Sequence, residues 1–163
     1  MEIRDSKLES AIPVPECQPP MPYRYLEDIA PADAAFEAWG QTLEEMIAAA
    51  AEATLHIMVG NPETIRSGDH RSFQVSDTEI DLLLLQVLQE LIYFKDAEQL
   101  LLRVQAVRLE RCTDTWTATI AADGESIDPR RHQLIVDVKA VTLHRLQVLQ
   151  TGGGWRATVV VDV

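Results

Sequence analysis

The spacing of apolar residues switches between strand and helical period along this chain, and those switches limit the fold more than any other feature. Two segments within the first hundred residues carry helical spacing, and from Leu100 onward the spacing is that of strands. The first helical segment opens at Thr42, with Glu45 three residues on completing a capping box, and runs through Met58. Its inward stripe is Leu43, Met46, Ile47, Ala50, Thr54 and Ile57, and the run Ala48 to Ala51 favours helix strongly. The second opens with the same signature at Ser76 and Glu79 and runs to about Phe94. It carries Ile80, Leu83, Leu84, Val87, Leu88, Leu91 and Ile92, more than a narrow stripe, so it should pack on two sides as the central core helix.

Short strands are expected at Tyr23–Leu26 and Asp33–Trp39, the latter with Ala34, Phe36 and Ala38 on one face and Asp33 and Glu37 on the other. Another is expected near Arg71–Val75, between the helices. Leu100–Arg111 and Thr115–Ala122 should pair across a short turn, with the hairpin-type dipeptide Asp123-Gly124 after them. Gln133–Thr142, a segment near Leu146–Leu149 and Trp155–Val163 complete the strands, the last preceded by the flexible turn Gly152-Gly153-Gly154. The order predicts an α+β fold, two main helices packed on antiparallel β-sheet. Residues 1–20, with Pro13, Pro15, Pro19 and Pro20, read as a disordered tail, and residues 21–163 as a single domain.

Composition narrows the function. A net charge of −12 with scattered lysines and arginines argues against direct binding of nucleic acid, and suits a cation or a basic partner. Cys17 and Cys112 form no CxxC pair, which argues against zinc and fits a reducing compartment. No apolar run approaches the length of a membrane span and no signal peptide is visible, so a cytoplasmic protein is expected. A serine elbow, a P-loop, GxGxxG and HExxH are all absent. His56, His70, His132 and His144 show no metal-site spacing, although His144, just past a strand, is a candidate ligand or base. In the last strand Asp162 shares a face with Arg156 and Thr158, opposite Trp155, Val159 and Val161. Asp33 and Asp162 thus lie on the polar faces of strands, either as solvated carboxylates or as halves of one site.

Several segments, taken in order, resemble the archease family, small proteins that assist tRNA-splicing ligases. "VDVKAVTLH" (Val136–His144) is similar to the family's EVKAITYH, with Asp137 in place of glutamate. "GESIDPRRH" (Gly124–His132) resembles the preceding GE-x-(F/L)-D-x-x-x-H segment. "AWGQTLEEMIAAAA" (Ala38–Ala51) and "LLLLQVLQELIY" (Leu82–Tyr93) resemble the family's two helices, and the ending "VVVDV" its Asp-Ile terminus. The family signature (D/E)-H-T-A-D becomes Ile29-Ala30-Pro31-Ala32-Asp33, so only the last aspartate remains and Ala30 and Pro31 replace histidine and threonine.

The resemblance implies a divalent metal site on Asp33, Asp162 and the terminal carboxylate of Val163. These are hard oxygen ligands suited to Ca²⁺ above all, or to Mg²⁺ or Mn²⁺. It implies that Lys139 and His144 contact a partner or its active site; for Lys139 the plain alternative is an ion pair with Asp137. The implied role is that of an accessory protein, not an enzyme. It would promote guanylylation and multiple turnover of a GTP-dependent RNA ligase in tRNA splicing or RNA repair. Chaperoning a tRNA methyltransferase is the alternative, and a divergent member without ligase activation a further one.

Overall fold

The structure is a computed structural model that describes residues 22–27 and 33–163. The Pro-rich segment 1–20 and the altered signature residues Ile29, Ala30, Pro31 and Ala32 lie outside the described residues. The elements are β1 (Tyr23–Leu26), β2 (Asp33–Gly40), α1 (Leu43–Met58), a 3-10 turn (Pro62–Thr64), β3 (Asp69–Asp77) and α2 (Ile80–Glu98). They are followed by β4 (Leu100–Cys112), β5 (Thr115–Ser126), β6 (Ala140–Val141), β7 (Gln147–Thr151) and β8 (Gly154–Asp162). Among the described residues no helix is long and apolar enough to cross a membrane.

Helix α1 starts where its capping box places it. The Glu45 amide donates to Thr42 Oγ1 at 3.1 Å, and the Glu45 carboxylate accepts from the Gln41 amide at 2.9 Å. The expected box at Ser76 and Glu79 does not form. Ser76 belongs to β3, where its hydroxyl pairs with that of Thr117 on β5 at 2.9 Å, and Asp77 takes the Glu79 amide instead. A strand with a free ladder partner outbids a cap whose gain is a single hydrogen bond. Helix α2 also continues past Phe94 to Glu98 and ends on Gln99 in the left-handed conformation, φ 56°.

The strands form two antiparallel sheets. One has the order β1-β2-β8-β6, with β7 beside β6 on the same edge of β8; the other has the order β3-β5-β4. Both helices pack against both sheets, α1 on β2, β8 and β4, and α2 on β3, β4, β5 and β6. This position explains the alanine run. Ala49, Ala50, Ala51 and Ala53 are all buried, and larger side chains on so many sides of α1 would hold the sheets apart. Phe36, Met46, Ile47, Leu83, Leu84, Leu88, Ile120, Val159 and Val161 fill one continuous core.

Two other expectations change. Asp123-Gly124 is no turn: it lies inside β5, which continues to Ser126 and is flanked on both sides. A Cβ on Gly124 would lie 1.8 Å from the carbonyl oxygen of Leu101 on β4, so glycine here permits backbone approach. Gln133–Thr142 is not a continuous strand. It is an extended segment that bridges from Leu134 to Val59 at the end of α1 and joins a sheet only through the two residues of β6.

Gly124→Ala should lower stability by at least about 2–3 kcal/mol, as overpacking against backbone does. A drop in urea midpoint with an unchanged denaturant slope would register it.

Candidate functional site

The register of the first sheet sets the candidate residues. β2 and β8 pair along their length, with Phe36 opposite Val159 on the core side and Asp33 opposite Asp162 at one end. The next strand over places Ala140 beside Asp162, so the row reads Asp33, Asp162, Ala140. Both carboxylates are half-buried, and among the described residues neither forms an ion pair. Directly opposed residues of an antiparallel pair have Cβ atoms roughly 4.5–5.5 Å apart, close enough for two like charges to destabilise the pairing. Their face is not uniformly polar: on the adjacent row Ala35 and Val160 are fully buried.

Among the described residues no three His, Cys, Asp or Glu side chains stand together as a metal site. The oxygen donor that the family resemblance adds to this row is the main-chain carboxylate of Val163, next to Asp162. The donor set is then all oxygen, which fits a hard cation.

Lys139 reaches the same row through its backbone, its amide donating to the Asp162 carbonyl at 2.8 Å, and its side chain is exposed. The Thr142 amide and hydroxyl both donate to the Val160 carbonyl, at 2.9 and 3.1 Å, extending the contact past β6. His144 falls outside this register, on the exposed turn between β6 and β7 where Arg145 takes φ 58°. Thus Asp33, Asp162, Val163 and Lys139 are brought to one sheet end, and His144 is not paired into it.

In the structure Asp137, the alternative partner for Lys139, is paired with Lys95. Asp137 binds the ammonium of Lys95, from the last turn of α2, which also donates to the Val138 carbonyl at 3.0 Å and contacts Asp96 at 2.7 Å. Lys95 is 7% exposed. Burial pulls its pKa down, but hydrogen bonds and charges from Asp137 and Asp96 outweigh burial, and the net shift is upward. Lys95 lies outside every family-like segment. Its signal was a lysine continuing the inward stripe of Leu91 and Ile92, where an unpaired cation would be costly.

The GESIDPRRH segment proves to be a fastener. The Glu125 carboxylate accepts from Arg131 at 2.6 Å, from the Arg66 amide at 2.8 Å and from His132 Nε2 at 3.0 Å. His132 is 2% exposed, and its Nδ1 accepts from the Asp128 amide at 2.9 Å, so the ring proton sits on Nε2. Arg131 also donates to the Thr64 carbonyl, and Asn61 joins the Arg131 carbonyl to the Gln133 amide. The loop after α1 is thereby tied to the end of β5. The Glu125 carboxyl is lowered from its ordinary 4.5 to about 2. The Arg131 hydrogen bond is the largest cause; burial opposes it, and the Arg66 amide, His132 and the Arg131 charge add to it.

Fold and site together define a class: small α+β proteins with two helices held between antiparallel sheets and an acidic row at the end of the last strand. The Archease protein family (MTH1598/TM1083) profile matches residues 23–163, and the chain belongs to this family. Protein archease of Methanosarcina mazei is 31% identical over 144 residues, covering 86% of this chain and 95% of the relative. That of Pyrococcus abyssi is 30% identical over 133 residues, covering 81% and 93%. The solution structure of Methanobacterium thermoautotrophicum protein 1598 superposes with a TM-score of 0.77 at 29% identity, covering 88% of this chain and 99% of that one. A Thermotoga maritima structure, described as an archease and possible chaperone, shares the fold with a TM-score of 0.53 at 20% identity, over 82% of this chain and 93% of that one.

Because the folded pKa of Glu125 lies below its unfolded value, its stabilisation is complete above about pH 4.5 and is lost as the pH falls toward 2. Glu125→Gln should cost on the order of 1–3 kcal/mol at neutral pH. Urea midpoints of wild type and variant should converge as the pH drops through that window.

Proposed function

We propose that the chain is an accessory protein of a GTP-dependent RNA ligase, promoting transfer of the guanylyl group onto the ligase and so multiple turnover in tRNA splicing or RNA repair. It would act without catalysing ligation. Its working end would be the row of Asp33 and Asp162 with the Val163 carboxylate, holding a divalent cation, Ca²⁺ first and Mg²⁺ or Mn²⁺ as alternatives. Lys139, and with it His144, would face the ligase or its nucleotide. Membership of the family supports this reading, and one observation carries it: two half-buried aspartates stand opposite each other in register with no basic partner among the described residues. Such a pair repels, and a bound cation turns the repulsion into attraction.

The repulsion makes the cation's effect measurable without any ligase. In chelator, Asp162→Asn should raise stability by up to about 1 kcal/mol, because a like-charge pair is removed. With Ca²⁺ added, wild type should gain stability by mass action while Asp162→Asn and Asp33→Asn gain little. Appending one residue after Val163 should also weaken Ca²⁺ binding; unchanged affinity would remove that carboxylate from the ligand set. The function itself is read from multiple-turnover ligation by a cognate ligase, which should depend on this protein and fall at least about tenfold with Asp162→Asn. Absence of stimulation would defeat the ligase reading.

A second reading is supported by the Thermotoga maritima relative, described as a possible chaperone. On it the chain keeps a tRNA methyltransferase soluble. Co-purification with the methyltransferase, indifferent to Asp162→Asn, would favour this role over ligase activation.

A further inference from the structure

The acidic row is built at the edge of β8, and the strand that closes this edge, β6, is two residues long. Two residues of ladder do not by themselves fix a segment that bears a working side chain, because each residue held in one conformation costs about 1–2 kcal/mol of entropy. On the side facing away from β8, β6 has no further strand in its sheet. Its polar groups there are met by helix α2. The Gln89 Oε1 atom accepts from the Val141 amide at 3.0 Å, and the Lys95 ammonium donates to the Val138 carbonyl at 3.0 Å while binding Asp137. Between these two grips lies Lys139, whose amide is fixed from the opposite side by the Asp162 carbonyl.

We infer that Gln89 and Lys95 are positioning residues: a two-point clamp on α2 that stands in for a missing strand and holds the Lys139 backbone beside Asp162, at the end of the Asp33–Asp162 row. The inference rests on the reading of that row as the working end. Both residues belong to α2, which packs against β3, β4, β5 and β6, so the clamp ties the site to the core. Lys95 suits its grip because one ammonium can serve the Val138 carbonyl, the Asp137 carboxylate and the Asp96 carboxylate together. A leucine or methionine there would fit the apolar stripe and leave the Val138 carbonyl without that bond. Asp137, in turn, is bound to the clamp and leaves the Lys139 side chain free of it.

The test uses the full chain with Lys95→Met, Lys95→Arg and Gln89→Ala. Amide hydrogen exchange should show Lys139 losing protection at least about tenfold in Lys95→Met, Val141 likewise in Gln89→Ala, and β4–β5 amides little changed. Ca²⁺ titration by calorimetry should show affinity about tenfold or more weaker in Lys95→Met, with Lys95→Arg restoring most of it. Unchanged protection at Lys139 would overturn the clamp, and so would lost protection with unaltered Ca²⁺ affinity, since Lys95 would then be merely structural. Should Lys95→Met fail to fold, the half-buried Gln89→Ala carries the same two measurements. Wild type that binds no Ca²⁺, Mg²⁺ or Mn²⁺ would defeat the metal reading instead, and exchange at Lys139 and Val141 then decides the clamp alone.

Discussion

The antiparallel pairing of β2 with β8 governs the rest of the molecule. It joins a strand near the start of the domain to the last one, in a continuous register from Asp33–Asp162 to Gly40–Trp155. On the inner face this register stacks Phe36, Ala38, Ala157, Val159 and Val161 against α1. On the outer face it sets Asp33 across from Asp162. A slip of one residue would send Phe36 to the outside and separate the aspartates at once, so the core and the acidic row are fixed by the same choice.

The energies show why the fold tolerates its own site. Opposed like charges on a sheet cost roughly 0.2–1 kcal/mol, whereas burying a phenylalanine or valine contributes about 1.5–3 kcal/mol. Phe36, Val159 and Val161 are fully buried, so the core decides the register, and a like-charge pair at the sheet's end is too weak to overturn it. Helix α2 reaches this end of the sheet through the hydrogen bonds of Gln89 and Lys95 to the segment before and within β6.

The two polar networks outside that row have different tasks. Glu125, Arg131 and His132 fasten the loop after α1 to β5, using the residues that carry one of the family-like segments. Lys95 and Asp137 hold the segment before β6. In sequence both look like surface charge. In the fold each satisfies main-chain groups that irregular backbone leaves without a ladder, a requirement wherever such backbone runs against a core.

The sequence determined α1 with its cap, most strand positions, and the faces of Asp33 and Asp162, because period and capping are properties of neighbouring residues. The family-like segments further carried the choice of those two aspartates with Lys139. Tertiary structure decided the rest. Ser76 became a strand residue because β5 offered it a partner, and Gly124 a strand glycine because β4 runs too close for a Cβ. The alternation in Gln133–Thr142 suggested a strand, but only Ala140 and Val141 lie where β8 can pair with them. Lys95 found Asp137 across 42 residues of chain, a pairing no local pattern encodes, because the free energy of a buried charge is set by whatever the fold brings beside it.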